Sequence, residues 1–121
     1  MNKTILVVDD SYSIRKSVSF FLTEAGFEII SAEDGQKALS FFDGRKIDLL
    51  LTDLHMPNMN GIELIKNVRE LESYKRLPIL LLTTETLKNK KLEAKKAGAT
   101  GWLNKPFDQE KLYNVINKLV R

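Results

Sequence analysis

A chain of 121 residues with a formal net charge of +3 is sized for one domain. Hydrophobic residues make up 43% and charged residues 29%, which allows one real core and excludes a disordered chain. With no cysteine there is no disulfide framework and no thiolate metal site. No apolar run nears the roughly 20 residues that span a bilayer, and Met1-Asn2-Lys3-Thr4 lacks the apolar core of a signal peptide, so a cytoplasmic domain without membrane insertion is expected.

The charge is unevenly spread. Residues 1–60 carry 6 Lys and Arg against 9 Asp and Glu, a balance of −3, while residues 61–121 carry 13 against 7, a balance of +6. Lys88, Lys90, Lys91, Lys95 and Lys96 supply much of the excess. A basic cluster can mark a nucleic-acid surface. Here Glu93 interrupts the run and no aromatic residues are interleaved to stack on bases, so no nucleic-acid partner is expected. A solvated helix face is the better reading, with an acidic protein segment as the partner it would suit.

Ile5-Leu6-Val7-Val8 is a short apolar run closed by Asp9-Asp10-Ser11 and predicts a buried first strand. Ser13 can cap the helix after it, in which Ile14, Val18, Phe21, Leu22 and Ala25 recur at helical spacing, and Gly26 stops that helix. Residues 28–32 are shorter and more polar, which suits an edge strand. Asp34 can cap a second helix carrying Ala38, Leu39, Phe41 and Phe42, with Gly44 just beyond. The run Leu49 to Leu51 is right for a strand covered on both faces, and Asp53 sits where that strand leaves the sheet. After Pro57 and Gly61 a third helix presents Ile62, Ile65, Val68 and Leu71. Residues 78–82 form a fourth strand ending in Thr83-Thr84. The lysine-rich segment 86–97 predicts the weakest helix, with Leu87, Leu92 and Ala97 as its sparse apolar positions and Gly98 as its stop. Gly101-Trp102-Leu103 is a short fifth strand leading to Lys105-Pro106. Asp108 caps a last helix with Leu112, Val115, Ile116, Leu119 and Val120 toward the core.

Five strand–helix alternations without a repeat or linker predict an α/β domain, a parallel sheet with helices on both faces. The strand order does not follow from the alternation. In such folds chemistry gathers outside the carboxyl ends of the strands. Asp9 and Asp10 follow strand one, Asp53 strand three, Thr83 strand four and Lys105 strand five. Each alone is an ordinary turn, cap or solvated residue, and it is their joint placement on one edge that is unusual. Three carboxylates close together raise one another's pKa, a cost that a hard cation removes. Oxygen ligands suit Mg²⁺, which keeps waters and completes its shell with phosphate oxygens. A carboxylate beside it can attack phosphorus to give an aspartyl phosphate, with Lys105 and Thr83 placed to neutralise and hydrogen-bond the phosphoryl oxygens.

Asp9-Asp10, Asp53 with Met56-Pro57 and Gly61, Thr83-Thr84, and Lys105-Pro106-Phe107 together resemble the signature of response-regulator receiver domains. The match runs through the whole chain in order and spacing. Within the family the chain most resembles the stand-alone chemotaxis regulators, in Thr83-Thr84-Glu85 and in Gly98-Ala99-Thr100-Gly101-Trp102. The resemblance implies a flavodoxin-like (βα)5 three-layer sandwich with a five-stranded parallel sheet in the order 2-1-3-4-5. Residues 1–121 would be one receiver domain, monomeric and with no output domain.

The resemblance also implies roles. Asp53 would accept a phosphoryl group from a histidine kinase. Asp9 and Asp10 would hold Mg²⁺ (or Mn²⁺ in its place) with Asp53 and the backbone carbonyl of His55. Lys105 would contact the phosphoryl oxygens, next to a cis bond to Pro106. Thr83 would move toward the phosphoryl group, and Trp102 would repack and alter the face formed by helix four, strand five and helix five. That face would dock a flagellar motor switch protein or another protein target. His55 and Glu85 would tune the hydrolysis rate at the pocket rim, with a phosphatase as a further partner. Met56 and Met59 read as packing residues. A haloacid-dehalogenase-type phosphatase would put its second Asp two residues after the first at strand one, whereas these acids are adjacent. A flavin-binding module would have its phosphate repelled by Asp9-Asp10. A receiver that acts only as a binding module would not need a complete acidic set. A phosphorelay carrier passing its phosphate to a second histidine protein stays open beside the motility switch.

Overall fold

The computed structural model describes residues 2–120. Five strands, β1 (Thr4–Val8), β2 (Glu28–Ala32), β3 (Leu49–Thr52), β4 (Ile79–Thr83) and β5 (Gly101–Asn104), alternate with five helices, α1 (Tyr12–Glu24), α2 (Gly35–Leu39), α3 (Gly61–Arg69), α4 (Lys88–Ala97) and α5 (Gln109–Leu119). Every strand pair is parallel, and the order is β2-β1-β3-β4-β5. This is the expected flavodoxin-like arrangement, with the polar strand β2 at an edge. Among the described residues no helix is long and apolar enough to cross a membrane.

The pleat splits the apolar runs between two cores. Leu6, Val8, Leu50, Ile79 and Leu81 face α2, α3 and α4, packing with Ala38, Ile65, Val68 and Ala94. Ile5, Val7, Leu49, Leu51, Leu80 and Leu82 face α1 and α5, packing with Val18, Leu22, Leu112 and Ile116. A run covered on both sides has no polar alternation to keep, which is why β1, β3 and β4 read as unbroken apolar stretches. Each fully buried Leu, Ile or Val here contributes about 1.5–3 kcal/mol relative to exposure.

Several local expectations are corrected. Ser11, not Ser13, caps α1, accepting from the Ile14 amide at 3.4 Å; Ser13 already lies within the helix. Helix α2 stops at Leu39. Phe41 and Phe42 follow it in tight turns, their amides bonded to the carbonyls of Ala38 and Leu39, and Phe42 still reaches the core by packing edge-on against Tyr74. Leu71 lies past the end of α3 and is exposed. The largest reversal is in α4. Leu87 and Leu92 are 56% and 54% exposed, while Ala94 is buried. Leu87 precedes the first turn, and Leu92 stands two residues from Ala94, roughly 200° around the helix, so two small side chains, the buried Ala94 and the partly buried Ala97, anchor it in place of the leucines.

Candidate functional site: an acidic cluster bridged by a lysine

The carboxyl ends of β1, β3, β4 and β5 meet on one edge of the sheet. Asp9 leaves β1 with its amide still bonded to the Ala32 carbonyl, and Asp53 leaves β3 with its amide bonded to the Val8 carbonyl. These ladder bonds fix both carboxylates relative to the sheet. Asp9 is 3% and Asp53 9% exposed, whereas Asp10 is exposed. The carboxylates of Asp9, Asp10 and Asp53 each offer an oxygen within 4.8 Å of the others.

Lys105 reaches the cluster from the end of β5. Its Nζ donates to Asp9 Oδ2 at 2.6 Å and to Asp53 Oδ2 at 3.2 Å. Its backbone amide bonds to the Thr83 carbonyl at 2.9 Å, and the Lys105–Pro106 peptide is cis. The other oxygens are engaged by the backbone. Asp9 Oδ1 accepts from the Ser11 amide at 2.9 Å, and Asp53 Oδ1 accepts from the Leu54 amide at 2.7 Å.

Burial pushes the Asp9 carboxyl up from 3.8, and the opposing bonds from Lys105 and the Ser11 amide offset only part of it. Burial alone would lower Lys105, but its bond to Asp9 and the charges of both acids outweigh this and raise it above 10.5. The lysine is therefore held charged while the deeper acid is pressed toward neutrality. The site carries more negative charge than one ammonium compensates.

The loop after Asp53 depends on a glycine. The Gly61 amide bonds to the Leu54 carbonyl at 2.7 Å, and a Cβ at position 61 would stand 2.3 Å from the Asp53 carbonyl oxygen. No other residue fits that approach. Asn60 then starts α3 with a reciprocal cap to Glu63, so the turn from Met56 to Asn60 is closed at both ends.

Thr83 ends β4 with its side chain fully buried and its hydroxyl accepting from the Glu85 amide at 3.3 Å. His55 and Glu85 face each other across the rim, Nε2 to Oε1 at 2.8 Å. Glu85 is held below 4.5, first by the Leu87 amide and then by His55. Trp102 is half-buried beside Lys91, whose Nζ stands 5.5 Å from the ring centroid, and its Nε1 has no hydrogen-bond partner among the described residues. The structure thus gathers Asp9, Asp10, Asp53 and Lys105 in one cluster, sets Thr83, His55 and Glu85 around it, and leaves Trp102 apart, against α4.

Two contributors lay outside the sequence expectations. Arg15 Nη1 donates to the Asp9 carbonyl at 2.8 Å, and Asn104 Nδ2 donates to the Glu85 carbonyl at 3.1 Å. Both act on backbone oxygens, which no spacing of side chains reveals. A surface cavity of about 540 Å³ between Lys3, Asp48, Tyr74, Arg76 and Val120 is at the opposite edge of the sheet and touches none of these residues.

The family model for the response regulator receiver domain matches residues 5–117. The chain belongs to the response regulator receiver domain family. The receiver is 38% identical over 119 residues to chemotaxis protein CheY-3 of Vibrio cholerae, covering 98% of this chain and 92% of that protein. It is 38% identical over 116 residues to chemotaxis protein CheY of Pseudomonas aeruginosa, covering 95% and 94%. The crystal structure of Vibrio cholerae chemotaxis protein CheY4 superposes with a TM-score of 0.94 at 45% identity, covering 98% of this chain and 99% of that one. This receiver is CheY-like and belongs to two-component phosphoryl-transfer signalling; it is a signalling protein, not a classical enzyme. The phosphatase and flavin readings are not favoured.

Proposed function

We propose that Asp53 is the phosphoacceptor of a stand-alone chemotaxis-type response regulator. The observation that carries this reading is the bridge from Lys105 to both Asp9 and Asp53 within a cluster of three carboxylates. A phosphohistidine on a histidine kinase is the donor. A carboxylate oxygen of Asp53 forms the new bond to phosphorus as the bond to the donor nitrogen breaks, and the imidazole leaves with the electron pair. Lys105 neutralises a phosphoryl oxygen. The Thr83 hydroxyl, which only accepts a weak bond from the Glu85 amide in this structure, is free to donate to another.

The donor set fits Mg²⁺: all oxygen, over-charged by carboxylates, and open to solvent on the Asp10 side. Asp9, Asp10, Asp53 and the His55 carbonyl would hold it, with Mn²⁺ as a substitute, and when bound it supplies charge compensation for the phosphoryl oxygens. Asp9 is kept in place for this by Arg15 and by the Ser11 amide. The His55–Glu85 pair stands at the rim, where it restricts the approach of hydrolytic water.

Output runs through Trp102. A groove of about 300 Å³ between α4 and β5 is lined by Lys91, Ala94, Lys95, Thr100 and Trp102, apolar at its floor and basic at its edge. It suits an acidic amphipathic segment of the flagellar motor switch. The protein acts in the cytoplasm as a monomer, with a phosphatase resetting it. The test is intact mass after incubation with acetyl phosphate and Mg²⁺. One phosphoryl adduct is expected, absent in Asp53→Asn and in EDTA. No adduct with any donor would remove the assignment.

A further inference from the structure

Helix α4 is held very differently at its two ends. At the C-terminal end, Gly98 adopts a left-handed conformation with φ 118°, and its amide bonds to the carbonyls of Ala94 and Lys95. The Gly98 carbonyl is then clasped by Arg69, with Nε at 3.2 Å and Nη2 at 2.7 Å. The same guanidinium donates through Nη1 to the carbonyls of Tyr74 and Lys75 at 3.0 and 3.1 Å. A Cβ at position 98 would lie 2.8 Å from Arg69 Nε, so the glycine serves both the turn and the clasp. All these acceptors are carbonyls, including the negative end of the α4 dipole. Burial lowers the Arg69 pKa, and the carbonyls stand in for a carboxylate partner.

The N-terminal end has no such support. Ser11, Asp34, Asn60 and Asp108 cap the other four helices through their side chains, but α4 begins after Leu87 with no side-chain cap. Its first turn holds no acid and carries Lys88, Lys90 and Lys91, all opposing the dipole. Leu87 and Leu92 are exposed. What precedes this end is the loop after Thr83, where Glu85 Oε2 accepts from the amides of Thr86 and Leu87.

We propose that Arg69 is a positioning residue for the switch: it pins the C-terminal end of α4 as a fixed pivot, so that rearrangement of the loop after Thr83 is expressed as movement or fraying of the N-terminal half, Leu87 to Lys91. Lys91 covers the Trp102 ring, so this half is the one that reports to the indole. Resting-state order along α4 does not depend on chemistry at Asp53, so the pivot can fail while the phosphoacceptor reading stands.

Amide hydrogen exchange tests it. In the unphosphorylated protein the Lys91–Glu93 amides, bonded within the helix, are expected to exchange about tenfold faster than those of Lys96–Gly98. In Arg69→Gln the Lys96–Gly98 amides should lose that advantage, while amides in β3 and β4 stay protected and the acetyl phosphate adduct still forms. Adding Mg²⁺ and beryllofluoride should change exchange at Lys91–Glu93 in the wild type, and this response should fall about fivefold in Arg69→Gln. Arg69→Lys, which keeps the charge but not the fork, should lie between them and serves if the glutamine variant fails to fold. Even protection along α4, or an Arg69→Gln protein with wild-type protection at Lys96–Gly98, would overturn the pivot. Loss of that protection with an unchanged beryllofluoride response would overturn the positioning role.

Discussion

Lys105 lies closer to Asp9, at 2.6 Å, than to the acid it is expected to serve, Asp53, at 3.2 Å. The ammonium is anchored by the supporting carboxylate and keeps its looser contact for the reactive one. Transfer of a phosphoryl group to Asp53 therefore requires only the weaker bond to be exchanged.

Removing that ammonium should impair chemistry more than folding. Lys105→Ala is expected to slow phosphorylation by acetyl phosphate about 10²-fold, the scale of losing one charge-stabilising donor. Its folding stability should drop by about 1–3 kcal/mol, less than for most broken buried pairs because Asp9 can take up a proton. Adduct formation rates and urea melts measure the two separately.

Asp9 is a carboxyl whose folded pKa is raised by burial. Its protonated form favours the fold, so its contribution is present below 3.8 and lost as pH rises through the higher folded value. Asp9→Asn should thus have a higher urea midpoint than the wild type at pH 7 without divalent metal, and the difference should vanish as pH falls below 3.8. Mg²⁺ should raise the wild-type midpoint and have little effect on the variant. Lys105 follows the same sign in a higher pH range: its stabilisation is complete below 10.5 and fades only as pH climbs through its raised value.

Gly61→Ala would force a Cβ to 2.3 Å from the Asp53 carbonyl oxygen. Since that neighbour is backbone, the strand end must move. A loss of about 3 kcal/mol is expected, together with slower phosphorylation, because Asp53 itself is displaced. Thermal unfolding and adduct rates measured on one preparation check both.

Glu85 is held below 4.5, with the Leu87 amide as the leading cause and His55 as the next. A depressed carboxyl contributes stability above its unfolded pKa and loses it as pH falls through the folded value. Titration of the Glu85 side-chain carbon by NMR should therefore give a value below 4.5. In His55→Ala it should rise only part of the way, since the amide bonds remain. A full return would assign the effect to the histidine alone.

The sheet and the site edge were legible because they rest on strong signals. Unbroken apolar runs set β1, β3 and β4, and the polar residues that end them fall on one edge by the geometry of parallel strands. The strand order came from family resemblance, since alternation alone allows others. What stayed hidden depended on helix phase and on backbone oxygens. Leu87 and Leu92 looked like anchors because they are apolar, but α4 turns Ala94 inward instead. Ser11 and Ser13 are equivalent in sequence, and only the actual first turn chooses between them. Arg15, Asn104 and Arg69 all donate to carbonyls, contacts with no sequence signature. The His55–Glu85 contact joins two residues each placed at the rim separately, across 30 positions of chain.

The most direct measurement is the position of the acyl phosphate. Protein phosphorylated with acetyl phosphate and Mg²⁺ is reduced with borohydride, which converts an aspartyl phosphate to homoserine, and its peptides are mapped by mass. Homoserine at residue 53 alone is the expected result. Homoserine at residue 9 or 10, or none anywhere, would contradict the assignment of Asp53 as the phosphoacceptor.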